Sequence, residues 1–287
     1  MIQVRTLQPT DLEQLHACFL AAFEGYFVPM NMSYEQFAHR FVHKLLLNYA
    51  LSAGAFDGHH MVGFILTSTY EFQGEVTAYN AGTGVVPNYR GQGLTVKMYA
   101  HLFDHFKAAG IGQCALEVIT ANKGAVRSYE KSGLNIAARY QCYQLPVDRP
   151  LNAPYANSSL QLTKAAQPNW PAYEALWQVQ PCYSSLPGIL TREGATLHIV
   201  EAHMNNQLAG YAAFYPDNGR IEHLAVAQAC LQQGVGSALL HYMQQHNRVA
   251  SMSVLNVQDT ATATCTFFER RGFINHLNQY LMLKPMA

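Results

Sequence analysis

The residues best suited to chemistry fall in two blocks. The first runs Val85-Val86-Pro87-Asn88-Tyr89-Arg90-Gly91-Gln92-Gly93-Leu94-Thr95. A β-branched strand ends at a proline, and a short loop carries one arginine and two glycines. Leu94, Met98, Leu102, Phe106 and Ala109 then follow at helical spacing. A strand that feeds backbone N–H groups into a helix N-terminus is a place to hold phosphate. Glycines let those groups approach a pyrophosphate with no Cβ in the way. A plain strand-to-helix turn would use them for geometry alone. The second block holds Glu117 within Leu116-Glu117-Val118, then Asn122, Ala125, Tyr129, Glu130 and Gly133. It supplies an ionisable pair, a carboxylate and a phenol, at fixed spacing. Together the blocks point to acyl transfer from a phosphate-bearing carrier.

Other phosphate ligands fit less well. The loop lacks the Gly-Lys-Ser/Thr ending of a nucleotide-triphosphate loop and the third glycine of a dinucleotide fold, so ATP and NAD are poor matches. His39/His43 and His101/His105 have the i,i+4 spacing of metal ligands, but no third ligand sits beside either pair, so no metal is expected.

The elements around these blocks can be read from periodicity. Asp11 is an N-cap candidate for a helix carrying Leu12, Leu15, Phe19 and Phe23. A second helix is expected over Tyr34 to Leu47, with Phe37, Phe41 and Leu45 on one face. Strands are expected over Leu51 to Phe56 and Met61 to Tyr70 around the Asp57-Gly58 turn, over Val76 to Val86, Ala115 to Ile119 and Ile136 to Leu145. Gly124 to Lys131 reads as a helix. This order implies an α+β fold, a mixed central sheet flanked by helices, rather than a parallel doubly wound sheet.

The chain also repeats itself. Tyr129-Glu130-Lys131-Ser132-Gly133-Leu134 is echoed by Phe268-Glu269-Arg270-Arg271-Gly272-Phe273, and Gly91-Gln92-Gly93 by Gly234-Val235-Gly236. Ile2-Gln3-Val4-Arg5 matches Leu160-Gln161-Leu162-Thr163. A hairpin is expected at Asn205-Asn206 and a turn at Asp217-Asn218-Gly219. Pro146, Pro150 and Pro154 with Asn157-Ser158-Ser159 read as linker. Two tandem domains are expected, residues 1–146 and 159–287, joined by 147–158.

Composition narrows the partners. Charged residues make up 13% of 287 and the formal net charge is zero. A nucleic-acid binder would need a basic field to release counterions, so nucleic acid is not expected. No basic n-region precedes an apolar run, and no apolar stretch reaches membrane-spanning length. The six cysteines are scattered with no Cys-x-x-Cys pair, as expected of free thiols in a reducing cytoplasm. A monomer or homodimer is expected.

The first block resembles the acetyl-CoA-binding signature of the GCN5-related N-acetyltransferases, Arg/Gln-x-x-Gly-x-Gly/Ala after a Val-x-Pro strand end. Asn122 to Leu134 resembles the second signature of that family, Asn-x-x-Ala-x-x-x-Tyr-x-x-x-Gly-Phe. Thr95 departs from it, standing where glycine or alanine is usual. The resemblance implies an acetyl-CoA-dependent N-acetyltransferase acting by direct attack on a primary amine of a small molecule or a peptide N-terminus. It implies that Val85, Val86, Arg90, Gly91, Gln92, Gly93, Leu94, Thr95 and Asn122 hold the carrier. A backbone N–H on the Val85–Val86 strand, opened by a bulge, would bind the oxyanion. The ribosomal-protein alanine acetyltransferases of this family carry a glutamate and a tyrosine at the spacing of Glu117 and Tyr129. By that resemblance Glu117 is the base and Tyr129 the acid that protonates the leaving thiolate. Each residue also has a structural use: Glu117 pairing with a cation, Tyr129 anchoring helix to sheet, Asn122 capping. Glu24, Tyr26, Phe27, Met30, Tyr79 and Asn80 are the candidates for the acceptor side.

The second half lacks these groups. Leu231 stands opposite Arg90, Phe268 opposite Tyr129 and Ala261 opposite Asn122. Glu222 is the one attractive carboxylate, a base from an unusual position or, the favoured reading, a surface acid at a strand edge. The half reads as a degenerate copy. Two further readings are a non-catalytic CoA-binding regulatory module and a pocket shared by both halves, as in mycothiol synthase.

Overall fold

The computed structural model describes residues 1–148, 151 and 159–286. Most of the linker expected at 147–158 lies outside these. Among the described residues there are twelve strands and eight α-helices. They form two compact units, residues 1–138 with 280–287 and residues 139–279. Each unit therefore takes in a segment from the end of the other sequence half.

The first unit opens with β1 (Ile2–Thr6), α1 (Leu12–Ala22) and α2 (Tyr34–Ala38). It continues with β2 (Ala53–Asp57), β3 (His60–Phe72), β4 (Glu75–Val85), α3 (Leu94–Ala108), β5 (Gln113–Ile119) and α4 (Lys123–Lys131). β6 (Asn135–Leu145) begins here and enters the second unit from Arg139. β1 to β4 are antiparallel neighbours, β5 joins β4 in parallel, and the last strand of the chain lies beside β5. Leu94, Met98, Tyr99, Leu102 and Phe106 of α3 share one core with Val126 and Tyr129 of α4 and with Met282 and Met286. Phe19 of α1 meets Phe37, Phe41 and Phe64 in a separate aromatic cluster.

Two expectations need correction here. The second helix is α-helical only to Ala38. His39–Lys44 is a π-helical turn, and the run stops at Leu46, whose φ is +51°. Phe37, Phe41 and Leu45 are buried all the same. Asp11 takes the N-cap position, but its carboxylate bonds to Arg5 and to the Gln8 N–H rather than to the first turn of α1.

The second unit contains β7 (Leu160–Lys164), α5 (Trp170–Glu174), α6 (Pro187–Leu190), β8 (His198–Met204), β9 (Gln207–Tyr215) and β10 (Arg220–Val226). α7 (Val235–His246), β11 (Met252–Gln258), α8 (Thr262–Arg270) and the first part of β12 (Ile274–Pro285) complete it. Asn205 and Asn206, both at positive φ, make the expected hairpin between β8 and β9. β11 pairs with β10 in parallel and with Tyr140–Leu145 of β6 in antiparallel fashion. α4 and α8 end alike. Gly133 and Gly272 each have φ +87°, and Leu134 and Phe273 each donate back to the carbonyl of Tyr129 or Phe268.

Candidate active site

The site of the first unit is made by two strands that part. β4 and β5 are paired only from Thr77–Asn80 to Gln113–Leu116. One residue later the β3–β4 register slips: Leu66 faces Gly82 while Thr67 faces Asn80, which leaves Ala81 as a bulge. A bulge bends its strand, and β4 leaves β5 here. The bulge thus sits nearer the middle of β4 than the expected Val85–Val86. Val86 N–H donates to Val62 O at 3.0 Å. In an antiparallel ladder the bonding residues alternate. The N–H groups of Val85 and Thr83 therefore face away from β3, into the opening.

Glu117 stands just past the last paired residue of β5, and its Oε2 accepts a hydrogen bond from the Tyr79 hydroxyl. Tyr129 projects from α4 into the core, 7% exposed, edge-on to Tyr99 with ring centroids 6.0 Å apart. Burial pushes its phenol up to about 12, partly offset by the nearby Thr83 hydroxyl. A phenol so placed keeps its proton at neutral pH and stays available as a donor.

Asn80 was expected beside the acceptor, but it is buried and its amide is used within β4 and on α3. Nδ2 donates to Thr83 Oγ1 at 2.7 Å and to Tyr99 Oη at 2.6 Å, while Oδ1 accepts the Gly82 N–H at 3.0 Å. Tyr79 is likewise buried and tied to Glu117.

Gly91 and Gly93 sit at φ +77° and +72°, and a Cβ on either would meet nothing within 4 Å. They are needed for backbone conformation, and the space over them is open. Gly93 caps α3, so the N–H groups of Leu94, Thr95 and Val96 have no partner within the helix. The half-buried Thr95 is the second helical residue. Arg90 acts as a tie: Nε donates to Val85 O at 3.1 Å and Nη2 to Ala22 O at 3.0 Å. Gln92 bonds back to Asn88 O. Asn122 caps α4 through the Ala125 N–H at 3.1 Å, and its Nδ2 lies 3.4 Å from the Tyr26 hydroxyl. Tyr26 stands edge-on to Phe23 and to Phe27. Glu24 and Phe27 are exposed, and Met30 is half-buried.

The second unit repeats this arrangement and keeps an open cleft. β10 pairs with β11 only at Arg220–Ile221, and Glu222 is the bulged residue, in the place of Ala81. Gly234 caps α7 as Gly93 caps α3, which sets Gln232 opposite Gly91 and Gly236 opposite Thr95. Gln232 holds the left-handed conformation, φ +59°, without being glycine. A cavity of about 650 Å³ is lined by β10, this loop, β11 and α8, a volume typical of ligand pockets. Glu222 lines it with its side chain 5% exposed, which corrects the expected surface position. Its Oε2 accepts from Ser185 Oγ at 2.6 Å. His223, fully buried, bonds Tyr211 through Nδ1 and Ser185 O through Nε2, both at 2.7 Å. Because the carbonyl only accepts, Nε2 carries the proton and Nδ1 accepts from Tyr211. Burial lowers His223 to about 4.

Residues 12–134 match the acetyltransferase (GNAT) family model, and residues 184–282 match an acetyltransferase (GNAT) domain model. The chain belongs to the GNAT superfamily. It is a tandem GNAT protein with one domain in each unit. Among solved structures it resembles a tandem GNAT protein from the clavulanic acid biosynthesis pathway, at TM-score 0.74 and 14% identity, covering 100% of this chain and 99% of that one. It also resembles a GCN5-related N-acetyltransferase from Sphaerobacter thermophilus, at TM-score 0.76 and 13% identity, covering 100% and 96%. A putative acetyltransferase from Pyrococcus horikoshii matches at TM-score 0.70 and 15% identity, covering 99% and 89%. No curated protein matches this chain. At these identities the likeness is one of fold.

Within the GNAT frame, sequence reasoning missed Thr83, Tyr99 and the buried setting of Glu222 and His223. A threonine and a tyrosine on apolar faces carry no periodic signal of a shared polar contact. Among the described residues, no three His, Cys, Asp or Glu side chains are arranged to hold a metal ion, and no helix is long and apolar enough to cross a membrane.

Proposed function

We propose that this protein transfers an acetyl group from acetyl-CoA to a primary amine, of a small molecule or a peptide N-terminus, in a ternary complex at the first unit. The carrying observation is the parting of β4 and β5 beyond Asn80 and Leu116, with Glu117 at the opening and the Tyr129 phenol buried edge-on to Tyr99. The open space over Gly91 and Gly93 and the free first-turn N–H groups of α3 suit a pyrophosphate. When bound, acetyl-CoA supplies the activated thioester. Glu117 takes a proton from the ammonium, directly or through water. The N–H groups of Thr83 and Val85 face the place where negative charge would develop. Tyr129 returns a proton to the departing sulfur.

The test is release of free thiol from acetyl-CoA with spermidine, tyramine and an alanine-initiated peptide, together with thermal melting. Acetyl-CoA at millimolar concentration should raise the melting temperature, and at least one amine should release thiol. No shift and no turnover would sink the proposal.

The cavity of the second unit favours a second reading for that half alone. There the splayed strands and the retained loop would hold an acyl carrier without the phenol, as a binding module.

A further inference from the structure

Arg90 belongs to the loop that would hold the carrier, yet its guanidinium is turned onto two backbone carbonyls. Nε donates to Val85 O at 3.1 Å and Nη2 to Ala22 O at 3.0 Å. Ala22 is the last residue of α1, and its carbonyl is one that a helix leaves without an intrahelical partner. A basic side chain at a helix C-terminus satisfies such a carbonyl and suits the dipole. The two ends it joins already touch: a Cβ on Gly84 would fall 2.7 Å from Ala22 Cβ. Residues 23–32, which hold the acceptor candidates Glu24, Tyr26, Phe27 and Met30, start from this anchor. Phe23 packs on Phe19 with ring centroids 4.7 Å apart, Gly25 turns the chain at φ +66°, and Tyr26 Oη comes 3.4 Å from Asn122 Nδ2. The far end is pinned as well, by His16 Nε2 donating to Met32 O at 2.8 Å. Between the two pins Phe27 is 55% exposed.

We propose that Arg90 is a positioning residue for the acceptor side rather than a ligand of the carrier. It fixes the start of residues 23–32, so that Tyr26 is held beside Asn122 at the head of α4, the helix that bears Tyr129. The carrier loop does not need the guanidinium for its own shape. The left-handed Gly91 and Gly93 and the Arg90 N–H bond to Pro87 O already set it. The second unit solves the same problem without an arginine. Leu231 stands opposite Arg90 and cannot donate. There the segment between α5 and α6 is held from the bulge: Glu222 accepts from Ser185 Oγ at 2.6 Å, and His223 Nε2 donates to Ser185 O at 2.7 Å. In the first unit the bulge residue is Ala81, whose methyl group can hold nothing by hydrogen bonding. The two units thus anchor the corresponding segment from different neighbours. The inference rests on the proposed acetyl transfer for its consequence in turnover, while the anchoring itself can be measured without any substrate.

Arg90→Met and Arg90→Lys of the full chain test it. Lysine keeps the charge that would attract a phosphate but has one nitrogen and no fork, so it cannot hold both carbonyls. Hydrogen exchange without ligand is read at the amides of Phe23 and Tyr26, which bond to Phe19 O and Phe23 O. In Arg90→Met these amides should exchange ~10-fold faster, one charged hydrogen bond's worth, with β3 protected as in wild type. In thiol release from acetyl-CoA with the fastest amine of the panel, Arg90→Met should raise KM for the amine by ~10-fold and leave KM for acetyl-CoA near that of wild type. Arg90→Lys should resemble Arg90→Met. Unchanged exchange in Arg90→Met overturns the anchoring. Faster exchange with an unchanged KM for the amine overturns the positioning role. A raised KM for acetyl-CoA that Arg90→Lys restores makes Arg90 a carrier ligand and overturns the proposal. If the wild type releases no thiol with any amine, the proposed function has failed and the acceptor role with it, and the exchange rates still decide whether Arg90 anchors the segment.

Discussion

Tyr79 and Glu117 meet across neighbouring strands at the point where β4 and β5 part, the phenol donating to Oε2 of the carboxylate. The contact fixes the direction of a carboxylate on a strand whose neighbour is leaving. Tyr79→Phe keeps the ring and removes the donor. We expect kcat/KM for the amine to fall about tenfold, the loss of one charge-assisted hydrogen bond. Glu117→Gln should cost on the order of a hundredfold, the lower range for a general base. Initial rates against amine concentration check both. Equal rates in Glu117→Gln and wild type would remove Glu117 from the mechanism.

The two glycine loops differ at one left-handed position, and stability should report it. Gly93→Ala, at φ +72°, is expected to cost about 1 kcal/mol through backbone conformation alone, since a Cβ there meets nothing. Gln232→Gly, at φ +59°, should stabilise by about 0.5 kcal/mol, strain relief partly offset by the flexibility of glycine in the unfolded chain. Chemical denaturation reads both. A destabilised Gln232→Gly would mean that the glutamine side chain holds the loop.

His223 should make stability depend on pH in one direction. Its folded value is about 4, below the ordinary 6.5. Between these values the unfolded chain binds a proton that the folded state refuses. The stabilising effect is complete above about pH 6.5 and is lost as pH falls towards 4. It amounts to on the order of 3 kcal/mol. Denaturation of wild type and His223→Gln at pH 7 and pH 4.5 measures it. The variant should show a flatter dependence, and parallel curves would contradict the assignment.

The open cleft of the second unit makes stoichiometry informative. Calorimetric titration with acetyl-CoA should give two equivalents per chain if the splay below Glu222 and the loop before α7 hold a carrier. One equivalent would restrict binding to a single unit.

The tandem α+β plan was legible because each half carries its own period-2 and period-3.6 patterns and its own glycine-rich loop. Gly133 and Gly272, both at φ +87°, show that the repeated helix ends reflect a repeated structure. The allocation of the last strands was not legible. Residues 139–145 and 280–285 read as strand from their apolar and aromatic content, and nothing local marks which unit they join. The bulge at Ala81 was also hidden, because a register slip depends on the partner strand and on Asn80 reaching the Gly82 N–H. Glu222 looked like a surface residue for a related reason. Its place just before the Leu224-Ala225-Val226 run suggests a strand edge, and the bulge turns it into the cleft.

Tyr129 decides between a working acetyltransferase site and a fold that only holds a carrier. The most direct measurement is the amine-dependent rate of thiol release from acetyl-CoA by wild type and Tyr129→Phe, with each variant's affinity for acetyl-CoA measured alongside. Loss of the acid should lower kcat by on the order of a hundredfold while acetyl-CoA binds as before. A Tyr129→Phe protein that turns over at the wild-type rate would contradict the site.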